Sequence, residues 1–299
     1  MRAYERFLKY VTIYTTSDEE STTHPSTARQ FDLAHLLVAQ LKELGVADAA
    51  VDDKCYVYGT LPATPGYEEK PALGFVSHMD TAPAAPGENV KPQVFENYDG
   101  GDVLFAGTGE YMTVEKFPEL ANWKGQTLIT ADGTTLLGAD DKAGIAEIMT
   151  AVERIQSENI PHGKICIGFT PDEEVGQGAD FFDVDRFGAQ FAYTVDGGDV
   201  GELEYQNFNA ADAVVTVHGF SVHPGSAKGL MKNAQTIAME LAAALPAEEV
   251  PEHTEGFEGF FHLYQMSGDV TTAKLHYIIR DHDAEKFEQK KVFMWAAVD

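Results

Sequence analysis

Four short acidic runs hold the residues best suited to chemistry. His78 and Asp80 stand in VSHMDTAP (76–83), Asp140 and Asp141 in LLGADDKAG (136–144), Glu173 and Glu174 in TPDEEVGQG (170–178), and Asp196 in VDGGD (195–199). A two-metal hydrolytic centre needs imidazole and hard oxygen ligands, a carboxylate able to bridge the ions, and a separate base for the attacking water. His78 is a natural first ligand, and Asp80, two residues on, can fix its tautomer. Asp140 suits the bridge. If Glu173 and Glu174 are adjacent at a strand end, their side chains point in opposite senses, so one can bind metal while the other faces the water. Asp196 then completes the shell of the first ion.

Each cluster alone has a plainer explanation. Asp140 and Asp141 before a helix suit a cap and a dipole partner, and Asp196 with two glycines suits a turn. Four such clusters, three of them directly after an apolar run and one before a helix, are not what surface charge alone produces. The apolar runs are Cys55 to Leu61, Ala72 to Ser77, Lys164 to Thr170 and Phe191 to Val195, each read as a buried strand. Helical spacing recurs in Tyr4, Phe7, Leu8 and Val11, in Leu33 to Leu44, and in Ile145, Ile148, Met149, Val152 and Ile155. Strands alternating with helices predict an α/β sheet with its site at the carboxyl ends of the strands, where loops converge.

From about Asn209 the pattern changes to a strand (213–218), a helix (228–244), two strands (258–266 and 272–280) and a helix (283–297). The expected domains are therefore 1–208 and 209–299, the second a βαββα arrangement one strand short of a ferredoxin-like unit.

The balance of 21 basic against 48 acidic residues, a formal charge of -27, repels phosphate backbones and anionic membrane surfaces and argues against nucleic acid or a membrane as partner. The amino terminus mixes Glu5, Arg6 and Lys9 into its apolar residues, unlike an export signal, and Cys55 and Cys166 are single, so a cytoplasmic chain with reduced thiols is expected. GTG at 107–109 lacks the third glycine of a dinucleotide loop, and there is no Walker A loop, GxSxG elbow or HExxH.

Over SHMDT, NWKGQTLITADGTTLLGADDKAGIAEI, FTPDEEVGQGA, YTVDGG, GFSVHPGSAKG and IIRDHD the chain closely resembles the peptidase T branch of the di-zinc exopeptidases. The resemblance implies a catalytic domain with helices on both faces of a mostly parallel sheet, a lid and dimerisation domain, and removal of the amino-terminal residue from tripeptides. It implies two zinc ions, one held by His78, Asp140 and Asp196 and the other by Asp140 and Glu174, with Asp80 and Glu173 as the catalytic pair and Glu173 as general base. It also implies a cis peptide between Asp140 and Asp141, a homodimer through the lid, His223 steadying the oxyanion in a partner subunit's site, and Arg280 holding the substrate carboxylate.

Members of that family return from the lid to the catalytic domain and carry a second zinc-binding histidine late in the chain. Here no histidine follows His282, and FEQKKVFMWAAVD drifts into an apolar tail. The expectation is an early stop or shifted frame and a weakened second zinc site. The alternative to an active enzyme is a truncated, impaired relative with partial metal binding or a non-catalytic interaction role.

Overall fold

The computed structural model describes residues 1–198 and 200–298; Asp199 of the VDGGD run and the terminal Asp299 lie outside the described residues. The chain divides into two compact units, Met1–Val200 and Gly201–Asp299.

The first unit opens with helices α1 (Ala3–Tyr10) and α2 (Gln30–Glu43), then strands β1 (Ala50–Val51), β2 (Val57–Leu61) and β3 (Leu73–His78). Two small antiparallel pairs follow, β4 (Gln93–Phe95) with β7 (Leu128–Thr130) and β5 (Val103–Leu104) with β6 (Tyr111–Met112). Helix α3 (Ala139–Ser157), strand β8 (Ile165–Thr170), the short α4 (Val184–Phe187) and β9 (Phe191–Thr194) complete it. The main sheet runs β1-β2-β8-β3-β9. β3 pairs in parallel with both β8 and β9, while β2 is antiparallel to β8 and to β1, so four of the five strands point one way and β2 opposes them.

β8 shows how the centre of the sheet is covered on both faces, whereas β9 at its edge is exposed along its length, so the buried strand expected from Phe191 to Val195 is not met. Ile165, Ile167 and Phe169 join the core formed with α1, α2 and α3, whereas Cys166 belongs to an aromatic cluster with Tyr56, Tyr58 and Phe187. Gly74 on β3 and Gly168 on β8 leave room for those rings: an added Cβ at Gly74 would lie 2.6 Å from Phe187, and one at Gly168 3.1 Å from Phe182. Helix α3 buries Ile145, Ile148, Met149 and Val152 as its 3.6-residue period predicts.

The parallel register aligns the chemistry. His78, the last residue of β3, is level with Thr170, the last of β8. On the other side Val76 is level with Thr194, so Asp196, two residues past Thr194, comes level with His78.

The second unit contains β10 (Asn209–His218), α5 (Ala234–Ala244), β11 (Phe260–Gly268), β12 (Thr272–Asp281) and α6 (Ala284–Val298). Its sheet is antiparallel in the order β10-β12-β11. Leu275, Tyr277 and Ile279 of β12 pack with Ala238 and Leu241 of α5 and Phe287 and Met294 of α6. Helix α5 starts at Ala234, later than the periodicity from Lys228 suggests. The Asn233 side chain caps it by accepting from the Gln235 amide, and Lys232 is held in a bridge to Phe220.

Candidate metal centre

His78 is 3% exposed. Its Nε2 lies 2.8 Å from Asp140 Oδ1 and 3.8 Å from Glu173 Oε2, and its Nδ1 lies 3.3 Å from Asp80 Oδ1 and 3.1 Å from the Asp80 carbonyl oxygen. Burial opposes a charged ring here. The hydrogen bond and charge of Asp80, with further help from Asp141 and Asp140, outweigh it and push the His78 pKa up to about 10. The surrounding carboxylates thus call for a positive charge at this point, one that a divalent cation would also supply.

Two overlapping groups can hold a cation: His78 with Glu173 and Asp196, and His78 with Asp140 and Glu174, each with its ligand atoms within 4.8 Å of one another. Burial, followed by the negative charge of Asp140, raises Glu174 to about 6. One imidazole with four carboxylates fits zinc or a similar divalent ion.

Backbone detail explains the convergence. Asp140 and Asp141 are joined by a cis peptide and depart from helical dihedrals inside the first turn of α3. Asp141 does not join either cation group. It is 2% exposed, accepts from the Ser77 hydroxyl, from the His78 amide at 3.1 Å and from the Gly144 amide at 3.2 Å, and so fastens the start of α3 to the end of β3. Lys142, also 2% exposed, donates to the Ile13 carbonyl at 2.7 Å; burial lowers its pKa to about 7 against the opposing charge of Asp80.

Glu173 and Glu174 do not alternate along a strand. They form a single 3-10 turn (Glu173–Val175) after Asp172, whose φ of 54° turns the chain away from β8. Their separation comes from this turn and from Asp80, which is fully buried. Asp80 Oδ1 accepts from the Glu173 amide at 3.0 Å and Oδ2 from the Glu174 amide at 3.2 Å, beside its contact with His78. The spacing of His78 and Asp80 signals the imidazole contact; nothing local to Asp80 signals its hold on a turn more than ninety residues on.

Gly144 shows why LLGADDKAG carries its last glycine. A Cβ there would overlap the Val195 carbonyl oxygen and the Asp141 carboxylate. Gly144→Ala is expected to cost about 1–3 kcal/mol through overpacking and, by displacing Val195, to move Asp196 and reduce bound metal. Thermal unfolding together with metal stoichiometry checks this; a variant with parental stability and metal content would contradict it.

In the second unit His223 is exposed, its Nδ1 accepting from the Gly225 amide at 3.1 Å. The Arg280 guanidinium lies 4.2 Å over the Phe208 ring, and its Nε is buried without a hydrogen-bond partner among the described residues.

A peptidase T of Alkaliphilus oremlandii is 56% identical to this chain over 298 residues, 99% of this chain and 73% of that protein. The chain belongs to the peptidase T family. A model of a peptidase dimerisation domain matches residues 205–299, covering nearly all of the second unit. Two solved structures resemble the chain along its whole length. The aminopeptidase PepT of Bacillus cereus has a TM-score of 0.70, is 26% identical and has 71% of its chain covered. A tripeptidase of Staphylococcus aureus also has a TM-score of 0.70, is 25% identical and has 70% of its chain covered. In this chain an α/β unit carrying the candidate metal-holding residues is followed by a βαββα unit.

Proposed function

We propose that this chain is a zinc-dependent tripeptide aminopeptidase whose reaction centre is the carboxyl end of β3, β8 and β9. One observation carries the reading: His78, Asp140, Glu173, Glu174 and Asp196, which lie far apart in sequence, meet in two overlapping cation-holding groups in a member of the peptidase T family. The resemblance divides these residues differently from the two groups: His78, Asp140 and Asp196 would hold one zinc and Asp140 with Glu174 the other, which leaves Glu173, beside His78 and Asp196, to act on the water. Bound zinc would polarise the scissile carbonyl and supply a nucleophilic water at neutral pH. Glu173 would take a proton from the attacking water and pass it to the leaving amine. Asp80 fixes the ring of His78 and holds the backbone of both glutamates.

Residues 1–208 are read as the catalytic domain and 209–299 as a lid and dimerisation domain, with His223 steadying the oxyanion in a partner subunit's site and Arg280 taking the substrate's carboxylate. The match to a peptidase dimerisation domain supports a homodimer. No helix is long and apolar enough to cross a membrane among the described residues, and both cysteines are buried and free, which fits the cytoplasmic reading.

Both cation-holding groups draw on the same imidazole, so zinc is expected to bind in two separable steps, the second to a site built of carboxylates. Calorimetric titration of the metal-free chain, followed by an assay with trialanine, dialanine and amino-terminally acetylated trialanine, tests the function. Two unequal steps and cleavage of free trialanine alone are expected. Zinc uptake with no hydrolysis would favour the non-catalytic alternative.

A further inference from the structure

Asp172 is fully buried, directly before Glu173, and lies in the left-handed region that side-chain-bearing residues seldom adopt. Its side chain accounts for its presence there. Oδ2 accepts from the Ser26 amide at 2.7 Å, and Oδ1 accepts from the Ser26 hydroxyl at 2.5 Å and from Gln30 Nε2 at 2.6 Å. Its backbone is held as well: the amide donates to Gln30 Oε1 at 3.2 Å, and the carbonyl accepts from the Gln177 amide at 2.9 Å. Three consecutive residues, 172 to 174, are therefore fastened through two fully buried carboxylates. Asp80 holds the two glutamate amides from one side, and Asp172 ties the turn to the 26–30 segment from the other.

The Glu173 side chain is 52% exposed and Glu174 is half-buried, so packing alone does not fix either side chain. Where they point is decided by the backbone beneath them. Hydrogen bonds to an ionised acceptor are about twice as strong as neutral ones, and a reacting constellation must be held to within about 0.5 Å. The amino-terminal segment also reaches the Asp80 loop: the Ser17 amide donates to the Thr81 carbonyl at 3.2 Å, and the hydroxyls of Thr16 and Thr81 are 2.9 Å apart. One segment thus bears on both loops that carry the clamping carboxylates.

We propose that Asp172 is a positioning residue for Glu173 and Glu174, and that Ser26 and Gln30 act on the reaction centre through it. The proposal rests on the tripeptidase reading for its kinetic effect, whereas its geometric content concerns the turn alone. The test uses the full chain carrying Asp172→Asn, which turns one acceptor into a competing donor, and, separately, Ser26→Ala, which removes the hydroxyl that donates to Asp172 and accepts from the Asp18 amide and Gln30 Nε2. Three readouts are taken at a temperature where both variants remain folded: zinc affinity by calorimetry, hydrogen exchange at the Glu173 and Glu174 amides, and kcat and KM with trialanine.

Both variants are expected to exchange those amides faster, to bind zinc about 10- to 100-fold more weakly, and at saturating zinc to lose about tenfold or more in kcat while KM stays within about twofold. Asp172→Asn is expected to show the larger effect. Parental exchange and zinc affinity in both variants, with only a lower melting temperature, would overturn the proposal and leave Asp172 a stabilising residue. If the unaltered chain hydrolyses no tripeptide, the functional reading fails, while exchange and zinc affinity still decide the positioning role.

Discussion

Glu173→Ala is expected to keep its zinc and to lose turnover by roughly a hundredfold to ten-thousandfold, the range for loss of a general base. Glu173 and Glu174 are neighbours in one turn, both amides anchored on Asp80, yet they fall into different cation-holding groups. Glu174 groups with Asp140, the proposed bridge, and is the less exposed of the two. Glu173 lies over His78 and beside Asp196, more than half exposed, where water and a peptide can reach it. Burial nonetheless raises its pKa above that of a free glutamate, in the direction that makes a carboxylate a better proton acceptor near neutrality. Loss of a base leaves the ions in place, whereas loss of a ligand removes an ion and the activity with it. Metal analysis beside steady-state kinetics separates the two, and Glu174→Ala is the necessary companion. If Glu173→Ala sheds metal while Glu174→Ala holds both ions, the assignments must be exchanged.

A larger loss of metal is expected from His78→Ala, with zinc affinity down by more than about a hundredfold, since disturbing only an outer partner of a ligand already costs 10- to 100-fold. Among the described residues His78 is the imidazole in both groups, so the variant would leave carboxylates alone. Oxygen-only sites suit magnesium, calcium or manganese better than zinc. The remaining cluster should therefore shift its preference toward manganese relative to zinc, a change visible in competition calorimetry. The Asp80 clamp on the glutamate amides does not pass through the imidazole and should survive. A variant that binds zinc as tightly as the parent would remove His78 from the centre and undo the proposed ligand set.

Local patterns along the chain were enough to place most elements and to nominate the candidates. Apolar runs of strand length, helical periodicity in α1, α2 and α3, and polar clusters directly after strands suffice to predict an α/β sheet with its reaction centre at the strand ends, because both periodicities are local and survive in the order of residues. The βαββα order of the second unit was legible for the same reason; the start of α5 was not, because the Asn233 cap competes with a helical pattern that continues upstream of it. The density of motifs around His78, Asp140, Glu173, Glu174 and Asp196 was enough to indicate the family.

How those residues meet became visible only in the folded chain. The β3–β8 and β3–β9 registers bring His78, the glutamate turn and Asp196 to one level, and register depends on pairing between distant segments. The separation of Glu173 from Glu174 comes from a 3-10 turn where strand alternation was expected; β8 stops at Thr170, and the left-handed Asp172 leads into the turn. Most of all, the supporting contacts to distant segments were silent in the sequence, even at Asp80, whose contact with His78 was legible. Asp80 acts on amides 93 and 94 residues away, and Ser26 and Gln30 on a carboxylate 146 and 142 residues away. A hydrogen bond between side chain and distant backbone imposes no spacing and needs only a common donor or acceptor at each end, so it becomes visible only once the chain has folded.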